Sequence, residues 1–271
     1  MAATSGKQLP VGLRFVVVME LNADGTPLGD VDTATNATDG LEFQGPKAFN
    51  LNVPEPRKIT HIGEDRVLAV DYLPPNEGMD GEIMVSPDNH EVIALLGDIL
   101  EVSVGEGQFV GLSTSQQGFE PQVGVMMYQQ SLDVDAGTRR WRSFWFPSCR
   151  CIYMPAGMGQ DLQDARYKIA PAITTKLPWG LALTELDNGC LTMQGIEMMS
   201  EGRPNMCYWE GDGAEDEFLL PLDKPATGVA KIQAYADGAA ADALLASTAV
   251  DKLTFTVAPA DGVKITCLYE Y

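Results

Sequence analysis

Short apolar or alternating runs, each closed by a turn signal, recur along this chain. Residues 13–21 (LRFVVVMEL) predict a mostly apolar strand, and Asn22-Ala23-Asp24-Gly25 behind it combines residues that favour a tight reversal. Residues 29–40 are polar, rich in Asp, Asn and Thr, and predict an extended loop within a longer exposed stretch reaching Pro56. Strands follow at 58–62 and 66–73, split by Gly63-Glu64-Asp65 and stopped by Pro74-Pro75. A further strand is expected at 82–85. In 99–104, Ile99, Glu101 and Ser103 share one face while Leu100, Val102 and Val104 share the other. That alternation marks a half-wet strand.

One segment changes period. Ser86 suits an N-cap, Pro87 the first helical position, and Asp88 and Glu91 the positive end of the dipole. Val92, Ile93, Leu95 and Leu96 supply the stripe and Gly97 the stop, so a short helix is expected over 87–96, packed on a sheet.

The middle is the richest in strand pattern. Runs 122–133 and 139–154 flank Val134-Asp135-Ala136-Gly137-Thr138 as a hairpin. In the second run Trp141, Ser143 and Trp145 fall on one face, and Arg140, Arg142, Phe144 and Phe146 on the other. Pro147 then requires an edge or a bulge. Strands at 166–175 and from 180 complete this part. After Cys207 the texture shifts to the acidic, Gly-containing 210–217, then to apolar runs at 218–222, 228–235, 252–257 and 263–271. The last two are joined by the turn Ala258-Pro259-Ala260-Asp261-Gly262. The expected organisation is a main β domain over 1–217, followed by C-terminal strands or a small appended β-module over 218–271.

Composition narrows the function classes. With 38 acidic against 18 basic residues the formal charge is −20, so nucleic acid and anionic membranes would be repelled as affinity partners. A 45 % apolar content supports a substantial core, while 27 Gly and 17 Pro favour many short elements over long helices. The longest apolar runs are strand-sized, far below the roughly 18 residues that cross a bilayer. The start has no basic segment followed by an apolar core, so synthesis and folding in a cytoplasm are expected.

Catalytic signatures are absent. No G-x-S-x-G, dinucleotide or P-loop pattern occurs, and His90-Glu91 is followed by Ala94 where a second zinc ligand would stand. His61 and His90 are read as surface or cap residues. Cys149 and Cys151 share a strand face, and with Cys190, Cys207 and Cys267 they are expected to be reduced thiols, since zinc knuckles do not sit mid-strand. Asn22, Asp24, Asp30 and Asp32, and likewise Asp212, Glu215, Asp216 and Glu217, lack EF-hand spacing and are read as solvated loops. Trp141, Trp145 and Trp179 at strand spacing are read as core or interface in preference to a sugar platform. No enzyme activity, cofactor or metal is expected.

Four segments carry a resemblance: EIMVSPDNHEVIALLGD (82–98), the hairpin 122–154, RYKIAPAITTKLPWGLAL (166–183) and KLTFTVAPADGVKITCLYEY (252–271). Together they make the chain resemble a bacteriophage major tail tube protein over roughly half its length. The resemblance implies a mainly β fold, a β-sandwich or barrel with one flanking helix and a long loop or hairpin. It also implies hexameric rings that stack into the tube through which DNA is ejected. The implied partners are other copies of the chain, the tape measure, tail terminator and tail tip, with DNA passing unbound and no membrane. The implied location is the virion tail, after synthesis in the host cytoplasm. An acidic wall would let DNA slide, and polar parity makes Glu101, Ser103, Gln129 and Ser131 the lumen-facing candidates, with Asp71 and Glu82 behind them. The alternatives are another virion protein (head decoration or tail terminator), favoured if the C-terminal module is independent, and a carbohydrate-binding or hydrolytic β-sandwich, favoured if Trp141 or Trp145 is exposed beside paired carboxylates.

Overall fold

β-Branched, aromatic and methionine side chains fill the longest runs, and those runs become strands. The structure, a computed structural model, describes residues 8–28, 40–44, 46–52, 55, 57–63, 66–73, 80–85, 100–103, 109–113, 122–133, 137–154, 165–175, 195–221, 225–228, 232–237, 239–241 and 245–271. Its first strands are β1 (Gln8–Glu20), β2 (Leu41–Gln44), β3 (Pro46–Asn52), β4 (Arg57–Gly63), β5 (Arg66–Leu73) and β6 (Asp80–Val85). Next come β7 (Leu100–Ser103), β8 (Phe109–Ser113), β9 (Gln122–Asp133), β10 (Arg139–Met154), β11 (Ala165–Pro171) and β12 (Ile196–Ser200). The C-terminal set is β13 (Pro204–Glu210), β14 (Glu217–Leu219), β15 (Gln233–Ala236), β16 (Ala239–Ala240), β17 (Leu245–Thr248), β18 (Lys252–Phe255) and β19 (Lys264–Glu270). The protein is mainly β, every pairing is antiparallel, and no helix occurs among the described residues. The helix expected over 87–96 lies outside them. So do residues 29–39 of the expected loop, but the stretch to Pro56 is not all loop: β2 and β3 fall within it.

The main sheet has the order β2-β1-β9-β10-β11-β6-β3, with β12 added along the first half of β10. β3 also runs beside β1, which brings the two ends of this order together. β4 with β5, and β7 with β8, form separate two-stranded ribbons. One face of the main sheet carries Val16, Val18, Ile83, Val123, Val125, Met127, Phe146, Cys149, Cys151, Tyr167 and Ile169 into a single buried cluster. Gly81 on β6 belongs to this face by necessity, since a Cβ there would lie 2.7 Å from the Phe49 ring. At Gly12 the φ angle is +116°, a backbone state open to glycine, and the β1–β9 register slips there.

Pro147 behaves as its chemistry demands. It cannot donate to the ladder, and the register steps from Phe146↔Val125 to Cys149↔Val123, three residues on β10 against two on β9. This bulge inverts the alternation. Before it, the odd positions Trp141 and Trp145 lie opposite the first cluster; after it, the odd positions Cys149 and Cys151 lie within it.

The C-terminal strands form two small sheets, β13-β19-β15-β16 and β14-β18-β17. Cys207, Trp209, Phe218, Leu253, Phe255, Ile265, Cys267 and Tyr269 are buried between them. The boundary expected after Glu217 falls at the start of β14, and β13, upstream of it, pairs along its whole length with β19. All of β13 except Glu210 is buried because both its faces are covered. Asn205, Cys207 and Trp209 alternate with Met206 and Tyr208, which turn toward the main sheet.

Candidate functional site

Two surfaces stand out once the layers are in place: the seam between the main sheet and the C-terminal module, and the part of the main sheet the module leaves bare. In the seam Val17, Met19, Leu21, Met126, Tyr128 and Trp145 of the main sheet pack against Met206 and Tyr208 of β13, with Tyr235 and Leu268 partly buried beside them. At about 1.5–3 kcal/mol per fully buried large apolar side chain, the gross burial is on the order of 10 kcal/mol or more. That is comparable to the whole net stability of a typical domain, about 5–15 kcal/mol, so the module is held as a layer of the protein.

Arg203 clamps one end of the seam. Its guanidinium is buried, donates from Nη2 to Oε2 of Glu42 at 2.7 Å, and lies over the rings of Phe15 (4.2 Å), Tyr128 (4.5 Å) and Tyr271 (5.1 Å). A weakly hydrated planar cation can stack on several rings and still make a directed bond, which lysine's ammonium does poorly. The backbones of Arg203 and Tyr271 exchange two hydrogen bonds at 3.0 Å, so the clamp joins β1, β2 and β9 to the last residue of the chain.

Asp24 holds the other end. The turn after β1 closes with Thr26 donating to Asp24 Oδ1 from its backbone N–H (3.1 Å) and its hydroxyl (2.5 Å), while Lys264 of β19 donates to Oδ2. These bonds, Lys264 first and Thr26 second, hold the Asp24 carboxyl well below its ordinary range. Nearby Tyr208 is pushed the other way, by burial first and then by the negative charges of Glu210, Asp24 and Asp237. A depressed folded-state pKa stabilises above the unfolded value of about 3.9 and is lost as pH falls past it. The stability advantage of the wild type over Asp24→Asn is therefore expected to shrink between about pH 5 and 2 in urea titrations. An advantage that stayed constant or grew on acidification would contradict the pairing.

The bare part of the main sheet is the outer face of the second half of β10, β11, β6 and β3. It presents Arg150 and Ile152, then Arg166 and Lys168, then Glu82 and Met84. Arg166 pairs with Glu82 at 3.4 Å and Lys168 with Asp80 at 3.1 Å, and the Lys168 bond holds Asp80 below its ordinary range. Exposed pairs of this kind are worth little each and exchange partners easily. An exposed sheet face carrying both signs of charge is suited to recognition by another surface.

The residues singled out from sequence are distributed as follows. Gln129 is half-buried, whereas Ser131 is buried, its hydroxyl donating to the Arg140 carbonyl at 3.4 Å. A hydroxyl so enclosed cannot line a wet wall, so Ser131 is not a lumen candidate. Both belong to the parity of Val123, Val125 and Met127, the apolar side of β9. Glu101 and Ser103 lie on β7, paired with β8; their side chains are outside the described set, as are those of Asp71 and His61, while His90, Trp179, Cys190, Asp30 and Asp32 lie outside the described residues altogether. Trp145 is buried in the seam and Trp141 is half-buried against the Phe15 ring at 6.0 Å, so these two aromatics form no sugar platform. Asp212 caps its own turn, accepting the N–H groups of Ala214 (2.8 Å) and Glu215 (2.9 Å), which holds its carboxyl low. Among the described residues no group of three or more His, Cys, Asp or Glu is placed to hold a metal ion.

Cys149, Cys151, Cys207 and Cys267 are buried thiols, and burial, with Cys151 second, pushes the Cys149 thiol well up. Cys207 and Cys267 are cross-strand partners in the module core. In the native protein these four thiols are expected to react slowly with a thiol reagent, and about five groups should titrate on unfolding without reductant, from the five cysteines present. Finding only one or three would show disulfides.

Arg203, Glu42, Lys264, Tyr208 and Ile152 were not marked by any sequence signal. Their roles come from contacts across long separations, 161 residues between Glu42 and Arg203 and 240 between Asp24 and Lys264. No protein-family model, curated protein or solved structure matches this chain.

Proposed function

We propose that this chain is a structural subunit of a bacteriophage tail, forming hexameric rings that stack into the tube through which DNA leaves the virion. The observation that carries the proposal is the docked C-terminal module: it buries one half of the outer sheet face and leaves the other half, with Arg150, Ile152, Arg166 and Lys168, turned outward for a neighbour. In this reading the main sheet is a barrel, supported by β3 lying beside β1. Head-decoration and terminator readings were favoured by an independent module, and the Arg203 clamp and the apolar seam weigh against that independence. A sugar-binding sandwich needed exposed tryptophan, and Trp145 is 2 % exposed.

The subunit's partners in this reading are its own copies and the tape measure, terminator and tip proteins of the tail, with DNA passing unbound. Electron microscopy of the concentrated protein, alone and seeded on tail tips, is expected to show rings or tubes. A protein that stays monomeric under both conditions would refute the proposal.

A further inference from the structure

Of the exposed large apolar side chains among the described residues, Ile152 and Val257 differ in the charge around them. On the bare sheet face Ile152 is 46 % exposed, and its cross-strand partner is Lys168. Arg150, two positions earlier on the same side of β10, is exposed and makes no ion pair among the described residues. The result is an apolar knob beside the exposed Arg150, with Lys168 on its other side already paired to Asp80, in a chain whose net charge is −20. In the C-terminal module a pocket of about 500 Å³ is lined by Phe255, Val257, Pro259 and Val263, with Asp237 on its wall. Val257 is 77 % exposed there, far more than any other large apolar residue of the module among those described. Asp237 holds a left-handed φ of 48°, unusual for a residue with a side chain, fixed by its carboxylate accepting the Lys264 N–H at 2.9 Å. Asp261 is exposed in the hairpin turn that carries Pro259 and Val263.

We infer that knob and pocket are the two halves of one contact between copies of this chain. Ile152 of one copy seats among Phe255, Val257 and Val263 of the next, and Arg150 faces Asp237 and Asp261. The pocket has room for one branched side chain and the stems of its neighbours. A second copy is the occupant because each half supplies what the other lacks, in shape and in sign. Copies this acidic repel one another over most of their surfaces, so a cationic knob is where a neighbour's carboxylates can approach. Knob and pocket are different patches, so the contact is heterologous and copies follow one another head to tail, closing a ring or running on as a filament. The inference rests on the tube-subunit reading and names one of its contacts.

Ile152→Cys and Val257→Cys, both at exposed positions, are made as separate chains in a Cys190→Ser background, mixed, and oxidised mildly, the other four native thiols being buried. A disulfide-linked dimer is expected in the mixture at about ten times the yield from either variant alone. Equal cross-linking of Ile152→Cys with itself would mean a symmetric contact and would overturn the inference. Tubes or rings seen by microscopy without cross-linking would overturn this contact and leave the tube reading standing; neither polymer nor cross-link, even on seeded tips, would overturn both. As an independent arm, Arg150→Glu should weaken association in sedimentation about tenfold, and adding Asp261→Arg to the same chain should restore it. A second substitution without effect would count against the pairing.

Discussion

Arg203→Ala is expected to destabilise the protein by about 3–5 kcal/mol, because it removes one partner of a mostly buried ion pair together with three ring contacts. Glu42, mostly covered, would lose its bond to the guanidinium, and the rings of Phe15, Tyr128 and Tyr271 would face an empty space where it stood. For a chain of this size the loss corresponds to a melting point lower by about 10 °C. Arg203→Lys separates charge from shape: it keeps the cation but lacks the plane that stacks, so roughly half of the loss should remain. Urea unfolding measures both variants. A cost under about 1 kcal/mol for the alanine variant would show that the clamp contributes little beyond its backbone bonds.

Trp145→Ala should cost a similar amount, about 3–5 kcal/mol, by a different route. Its indole N–H has no hydrogen-bond partner among the described residues, so the expected effect is lost packing and the cavity left between main sheet and module. Trp145→Phe then serves as the control: it keeps most of the apolar volume, sacrifices no bond, and should cost well under half as much. If alanine and phenylalanine were equally damaging, the indole N–H would be making a bond, to a buried water for instance, that outweighs the packing.

The strands legible in the sequence are those whose neighbours in the chain are their neighbours in space. β5, β9 and β10 have the ends expected from pattern alone, since Pro74-Pro75 stops the first and the 134–138 turn joins the other two. Even the two faces of β10 could be assigned, and Pro147 announced its irregularity. β13 was passed over because PNMCYWE has no alternation of apolar and polar positions, and it has none because the main sheet covers one side and the β14-β18-β17 sheet the other. β2 and β3 are short strands in a polar stretch, held by β1 and β6, which no local window contains. The same reason hides the candidate site. Arg203 reads as one arginine in a loop until Glu42 and three rings from distant parts of the chain are brought around it. Ser131 misled because period two says which residues share a face and is silent about which face is wet.

The extra residue at Pro147 makes β10 two half-strands in opposite phase, and this limits how the chain can change length. A single deletion at the bulge would remove only the extra residue, leaving Cys149 opposite Val123 and on the face of Phe146, whereas a single deletion elsewhere along β10 would turn the residues beyond it to the opposite face. A paired deletion, or one matched by an insertion a few positions on, would preserve the phase. Length variants of this protein should therefore arise in turns, by one residue at the bulge itself, or in steps of two elsewhere along β10.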